Sequence, residues 1–429
     1  MQKERLDNGL TVIFKQVRNK VVTLDVWVNT GSANEDDKLN GISHFLEHMV
    51  FKGTPRYAVG ELDKAIMSVG GVWNAGTSKD FTHYHVTVAS PFFSKALDAI
   101  SDMIQNALID AQELEKEKQV ILEEYRRKQD NPYGLLYDEL YEVCFRSGPY
   151  RRSVIGTFES ISALGRDAML DYFERYYTPE NLVLLIVGDV EPAAVIPEVR
   201  KAFSGFDRKL RPMDNLEAKS LFQPGERRTL KRDVNQTYMG LAFPAPGIAN
   251  PDEVFALDLA SGILCDGRSS RLYRRLKEDK RLVHSISGGY PSHKFDSFFY
   301  VIATLDQENV ETAATEITRT MRQLATSPPT PDELAKAKRI IRNSFEFGME
   351  TNTGQSGTIG YYYTITGSTE FLETYLERLQ AITAEQVAAV ADKYFSAQPS
   401  MVVLQPDKSQ PSSGSDAPGS SIAARGVFL

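Results

Sequence analysis

The chain has 429 residues, 42% of them apolar and 25% charged, with a net charge of −8. That length suits two domains better than one, the composition is that of a globular protein, and the acidic balance leaves no basic footprint for nucleic acid. No apolar run reaches the ~20 residues needed to cross a bilayer, so no transmembrane segment is expected.

The N-terminus enters a strand pattern at once, Leu10-Thr11-Val12-Ile13-Phe14. It lacks the charged-then-apolar layout of a secretory signal and the Arg/Ser-rich layout of an organellar presequence. A cytoplasmic location is the expectation. Two cysteines, Cys144 and Cys265, fit a reducing compartment and read as small buried apolar residues. In the next strand Val22, Leu24, Val26 and Val28 alternate with Thr23, Asp25, Trp27 and Asn29, as in a sheet whose faces meet different environments.

The most informative stretch follows, His44-Phe45-Leu46-Glu47-His48. On a helix, histidines four apart lie one turn apart on one face, and their imidazoles can converge on one ion. Glu47 can then reach a water beside that ion. This is H-x-x-E-H, the inverse of the commoner zinc-protease order. Two histidines leave zinc short of its usual three protein ligands, so a third must come from elsewhere.

A charged helical segment runs from Glu113 to Tyr125, with Glu117, Val120, Ile121 and Glu124 on one stripe. Acidic residues beside an apolar stripe are costly to bury unless paired or coordinated. Glu124 is therefore a candidate third ligand, with Glu117 two turns before it. Glu123 is the neighbouring alternative, and the phase of the apolar residues favours Glu124. His83 and His85 alternate on a strand and are read as ordinary strand residues, since three ligands are already assigned.

The second half repeats the first. Lys79 to Val88 echoes Phe295 to Thr304, and Ala111 to Lys116 echoes Pro331 to Lys336. Each half closes with an aromatic-tipped helix and an apolar strand, Leu182 to Val187 and Met401 to Leu404. The expected fold is α+β: two homologous repeats, each a mostly antiparallel sheet with helices packed on one face. The expected boundaries are 1–208 for a metal-bearing domain, 209–225 for a linker, 226–408 for the second repeat and 409–429 for a Ser/Gly/Pro-rich tail. At the places of Glu117 and Glu124 the second repeat has Ala337 and Ser344, and it has no H-x-x-E-H. The metal therefore belongs to the first half.

These motifs resemble the pitrilysin/insulinase zinc peptidases, in particular their short, mitochondrial-processing-peptidase-like branch. In that family the third ligand is a Glu about 76 residues beyond the second His, the separation of His48 and Glu124 here, and an acidic residue seven positions earlier matches Glu117. The segment Gly70 to Thr77, continuing through Phe81 to Tyr84, matches the family's substrate strand. The resemblance implies Zn²⁺ held by His44, His48 and Glu124, Glu47 as general base, and Glu117 as a catalytic-site acid that orients His48 or the metal site. It implies that Asn74, Ala75, Gly76 and Thr77 take an extended peptide as an added strand, with the glycines at 70, 71 and 76 allowing close approach and the Asn74 amide holding peptide.

One departure concerns the C-terminal half. Active single-chain relatives carry an Arg and a Tyr seven residues apart that grip substrate and oxyanion, whereas this chain has Lys277 and His284. In the short branch some members are heterodimers, with zinc on one subunit and Arg/Tyr on the other. This chain looks like the zinc-bearing subunit, with a homologous partner or, failing that, a second copy of itself. The implied activity is hydrolysis of peptides or small unfolded segments in an enclosed chamber. Removal of targeting peptides is an alternative, as is a non-catalytic scaffold like the respiratory-complex core proteins, although those generally lose the metal-site residues kept here.

Overall fold

A computed structural model describes residues 1–211 and 222–407. Most of the expected linker, 212–221, and the whole of the tail lie outside the described residues.

The first sheet contains β1 (Gln2–Arg5), β2 (Thr11–Gln16), β3 (Val21–Val28), β4 (Val72–Thr77), β5 (Thr82–Ala89) and β6 (Leu182–Gly188), in the order β1-β2-β6-β3-β5-β4. Helices α1 (Ile42–Val50) and α2 (Glu61–Met67) lie between β3 and β4. Between β5 and β6 run α3 (Phe93–Asn106), α4 (Ala111–Gln129), α5 (Pro132–Cys144), α6 (Phe158–Ala163) and α7 (Arg166–Tyr176), and α8 (Pro192–Ala202) follows β6. The second sheet contains β7 (Arg227–Arg232), β8 (Thr237–Pro246), β9 (Ser285–Gly289), β10 (Asp296–Leu305) and β11 (Ser400–Pro406), in the order β7-β11-β8-β10-β9. Helix α9 (Pro251–Leu264) and a π-helical turn (Tyr273–Asp279) precede β9. Helices α10 (Val310–Thr326), α11 (Pro331–Gly348), α12 (Asn352–Thr366), α13 (Glu370–Ala381) and α14 (Ala384–Phe395) separate β10 from β11.

Apart from the extra edge strand β1, the two sheets have one strand order. Each is antiparallel except for one parallel pair, β2 with β6 and β7 with β11. That is the signature of a duplicated α+β unit. In the first half Val22, Leu24 and Val26 of β3, with Tyr84, Val86, Leu184 and Ile186, pack on Phe45, Leu46, Ile100, Met103 and Phe173 of the half's own helices. In the second half Leu241, Phe243, Phe299 and Val403 pack in the same way on Phe255, Leu259, Ile317 and Val387.

The opposite face of each sheet is covered by a helix from the other half. Ile13, Trp27, Leu185 and Val187 receive Ile359 of α12, while Ala242, Phe298, Val402 and Leu404 receive Leu136, Leu140 and Cys144 of α5. The fit is tight. A Cβ on Gly360 of α12 would lie 2.1 Å from the Trp27 indole. Each large side chain buried in these seams is worth roughly 1.5–3 kcal/mol, so the exchange holds the halves together as well as roofing the sheets. It also explains why Thr23 and Asp25, on the polar phase of β3, are buried.

A buried polar staple adds to the seam. Asp80 accepts from Tyr150 Oη at 2.7 Å and from the Lys294 amide at 3.3 Å, and lies 3.4 Å from His293 Nδ1. Both cysteines are free. Among the described residues no helix is long and apolar enough to cross a membrane.

Candidate metal centre

Helix α1 starts at Gly41, whose φ of 95° suits glycine. A side chain there would also strike the Ile155 carbonyl at 2.6 Å. The N-terminus is closed by Glu35, which is fully buried. Its carboxylate accepts from the Gly41 amide at 2.7 Å, the Ser43 amide at 2.9 Å and the Asn40 side chain at 2.9 Å. Acid at a helix N-terminus answers its unpaired amides and its dipole. Burial pushes the Glu35 pKa up, and these donors pull against that rise. Glu35 was not singled out from sequence, because a cap so far ahead of the helix follows no short-range motif.

From this fixed end, His44 and His48 project one turn apart, with ring centroids 4.8 Å apart and edge-on. Helix α4 crosses them. His44 Nε2 and His48 Nε2 each lie 3.7 Å from the same Glu124 carboxylate oxygen. One donor atom from each residue falls within 4.8 Å of the others. Separations of 3.7 Å are too long for hydrogen bonds. They approach the about 3.3 Å edge of a tetrahedron whose bonds are about 2.0 Å, the spacing zinc imposes on N and O donors. Two imidazoles and a carboxylate are also a donor set zinc favours. The three residues fit a zinc ion.

The helical phase accounts for the rest of α4. Glu117, Ile121 and Glu124 follow i, i+4, i+7, and Glu117 and Ile121 are buried while Glu124 sits at the margin. Val120 does not share that buried stripe and is 43% exposed. The helix's buried face is centred on Leu114, Glu117, Lys118, Ile121 and Leu122, which turns position 120 outward. Glu123 also points outward, to Arg126 at 3.0 Å.

Glu117 touches His48 Nδ1 at 2.9 Å with one oxygen and Lys52 Nζ at 2.6 Å with the other. Accepting the Nδ1 proton leaves the His48 Nε2 lone pair facing Glu124 and a metal. Burial alone would raise the Glu117 pKa, but His48 and Lys52 hold it below the usual range. Burial alone would lower His48, but Glu117, Glu47 and Glu124 outweigh it and leave it raised. Among the described residues His44 Nδ1 has no such partner, and burial, assisted by the charges of His48 and Lys128, drives the His44 pKa down to about 3. It is therefore a neutral imidazole. Lys52 was missed from sequence, although its place one turn after His48 was a usable signal.

Glu47 is half-buried and accepts from Thr77 Oγ1 at 2.6 Å. Burial raises its pKa, and the Thr77 bond opposes this. Thr77 closes β4, which pairs only with β5 and is the sheet's edge strand. Among the described residues its other edge is unpaired. Asn74 turns back on its own strand, accepting from the Ala75 amide at 2.9 Å. The glycines are explained internally. A Cβ on Gly71 would meet Ile66 and Val88 at 2.8 Å, and one on Gly76 would meet His83 at 3.3 Å, while Gly70 forms a left-handed turn. Close approach here is to the protein's own core.

Lys277 lies in the π-helical turn with its ammonium 5.3 Å over the Tyr273 ring. His284 is exposed before β9 and 3.2 Å from Asp306. Among the described residues no hydrogen bond or ion pair links either to the His44, His48, Glu124 site.

The family model for insulinase (peptidase family M16) matches residues 11–158, and that for the peptidase M16 inactive domain matches residues 163–341. A chain from Rickettsia bellii, described as an uncharacterized zinc protease, is 30% identical over 94% of this chain and 97% of its own length. This chain belongs to the M16 peptidase family. The Bacillus subtilis zinc protease YmxG is 27% identical over 94% of this chain and 98% of its own. The crystal structure of a Helicobacter pylori protease superposes with a TM-score of 0.88 at 28% identity, covering 94% of this chain and 99% of that one. The first M16 model spans His44, Glu47, His48, Glu117 and Glu124, and the inactive-domain model spans Lys277 and His284.

Proposed function

We propose that the chain is a zinc-dependent endopeptidase for peptides and unfolded segments, working in an enclosed chamber with a homologous partner. The observation that carries the reading is the approach of His44, His48 and Glu124 at 3.7 Å, with Glu47 in the same turn of helix bonded to the free edge strand β4. His44, His48 and Glu124 would hold zinc, which would supply the Lewis acidity that lowers the pKa of a water towards ~7 and polarises the scissile carbonyl. Glu117 fixes the His48 tautomer, and Lys52 fixes Glu117. Glu47 takes the proton of the attacking water and returns it to the leaving amine. Desolvation in its half-buried setting raises its basicity, and Thr77 aims it. The outer edge of β4, with the backbone of Asn74, Ala75, Gly76 and Thr77, receives an extended substrate as an added strand.

The partner reading rests on Lys277 and His284, which stand in place of the expected Arg and Tyr and, among the described residues, make no bond to this centre. A partner chain with that Arg and Tyr would complete the oxyanion site. A second copy would serve only if His284 itself acts as the donor. An intact donor set weighs against a scaffold role.

The test is Glu47→Gln. The amide keeps the shape and removes the base, so peptide turnover should fall at least 10²-fold with bound metal unchanged. Near-normal turnover by the purified variant would sink the general-base role. For the partner, the isolated chain should turn peptides over orders of magnitude more slowly than the reconstituted pair, since one lost oxyanion donor is worth ~3 kcal/mol. Full activity of the isolated chain, indifferent to changes at Lys277 and His284, would refute the pairing.

A further inference from the structure

We propose that Asp25, His83 and His85 form a second site for a divalent transition-metal ion, on the sheet face opposite the His44, His48, Glu124 centre. The inference does not depend on the peptidase reading.

Strand geometry brings these residues together. His83 and His85 are two apart on β5, so both imidazoles leave the same face. The β3–β5 register sets Asp25 directly opposite His85, and Trp27 opposite His83. One donor atom from each of Asp25, His83 and His85 lies within 4.8 Å of the others. Thr77, which bonds to Glu47, is one residue out of phase with Gly76, the partner of His83 in the β4–β5 register. The two clusters therefore occupy opposite faces.

The second observation is unmet bonding. Asp25 is 1% exposed, and its Oδ1 accepts from His83 Nδ1 at 3.1 Å. Among the described residues its Oδ2 is buried without a hydrogen-bond partner, and so is Nδ1 of His85. A bare oxygen on a buried carboxylate is costly. A simple His83–Asp25 ion pair leaves both atoms unsatisfied, whereas an ion coordinated at the cluster satisfies them together. Two imidazoles and a carboxylate select borderline ions such as Zn²⁺, Co²⁺ or Ni²⁺ over Mg²⁺ or Ca²⁺.

The surroundings are built to hold the ligands still. Trp27 stacks on the His83 ring with centroids 4.4 Å apart, and Gly76 leaves bare backbone beside its Nε2. His85 is half-buried and provides the approach. A bound ion ties β5 to β3 and so stiffens the strand on which the substrate edge β4 is built.

The experiment uses the full chain with His44→Ala and His48→Ala, stripped by chelation and titrated with Co²⁺ and then Zn²⁺. The expected result is about one equivalent bound, visible as Co²⁺ d–d absorption, with a rise in Tm. Adding His85→Ala should abolish binding, and adding Asp25→Asn instead should weaken it at least tenfold. If Asp25→Asn lowers the metal-free Tm markedly, His85→Ala, at a half-buried position, carries the comparison alone. No ion bound by the double variant, or an ion retained after loss of His85, overturns the site. Wild-type chain with peptidase activity and a single ion lost in the double variant would overturn it too, while leaving the zinc peptidase reading intact.

Discussion

Helix pairs α1/α4 and α9/α11 occupy corresponding places in the two halves and meet in opposite ways. In the first, His48 meets Glu117 and the facing side chains are ionisable. In the second, Gly262 meets Ala337, and a Cβ placed on Gly262 would lie 3.2 Å from that of Ala337. Small residues let the second pair close by packing alone. The first pair brings together two histidines and three acids, Glu47, Glu117 and Glu124, an arrangement that costs desolvation unless each group has a partner. Glu117 has His48 and Lys52, and Glu47 has Thr77. Among the described residues Glu124 and the two Nε2 atoms have only one another at 3.7 Å, too far for hydrogen bonds. Of these two pairs, the one with ionisable groups left in that state is the pair that fits a metal.

The largest effect expected from this contrast is at Glu124. Glu124→Ala should strip the metal and abolish peptide turnover. Ser344→Ala, at the corresponding place in α11, should change neither. Glu123→Ala should retain both, because its carboxylate lies outside the centre in an exposed pair with Arg126 worth under ~1 kcal/mol. Metal analysis and turnover of the three variants decide the matter. Loss of metal from Glu123→Ala but not Glu124→Ala would reverse the ligand assignment.

Much of the centre was legible because it is local. The i, i+4 spacing of His44 and His48 and the i, i+7 spacing of Glu117 and Glu124 need only helical geometry, and the duplication of a mostly antiparallel α+β unit showed in the repeated segments. Val120 was misplaced because it lies one side of the line through Glu117, Ile121 and Glu124, and only the packing shows which side is buried. The exchange of α5 and α12 was illegible for a stronger reason. A sheet face that receives a helix from the other half carries no mark of its partner in its own pattern. The same face holds Asp25, His83 and His85, which read as ordinary strand residues until β3 and β5 are set in register. Thr77 reads as a strand residue for substrate, and its bond to Glu47 appears only once α1 is laid against β4.

A second way to press the comparison is to exchange the helix contacts. Glu117→Gln keeps a hydrogen-bonding group on His48 but loses the charge that holds Lys52, and it should weaken metal binding about 10–100-fold. Ala337→Glu places an acid against Gly262 at a position that is 1% exposed. It should cost roughly 2–4 kcal/mol through overpacking and an unpaired buried charge. Urea unfolding at pH 7 checks the second, and competition with a chelator checks the first. Unchanged stability in Ala337→Glu would mean that the α9/α11 seam has room that its packing does not suggest.

The smallest effect concerns the acid that the second half does keep. Asp258 on α9 accepts from Tyr375 Oη at 3.0 Å, and among the described residues it has no ion pair. Burial lifts its pKa to about 7, against the pull of the Tyr375 bond. Glu117, equally an acid between helices, is held low by His48 and Lys52. The sign for Asp258 is therefore the reverse of a paired carboxylate. Between about pH 4, where the unfolded side chain ionises, and about pH 7 the folded chain holds the extra proton. Stability contributed by this group is complete below that window and is lost as pH rises through it. Partial exposure lets water screen the charge, so the loss is about 1–2 kcal/mol rather than the full shift. Asp258→Asn should unfold at higher urea than wild type at pH 7.5 and at about the same urea at pH 4. Parallel curves for the two proteins across that range would show that Asp258 is already ionised and solvated in the fold, and that the second half tolerates a lone charge where the first half requires a partner.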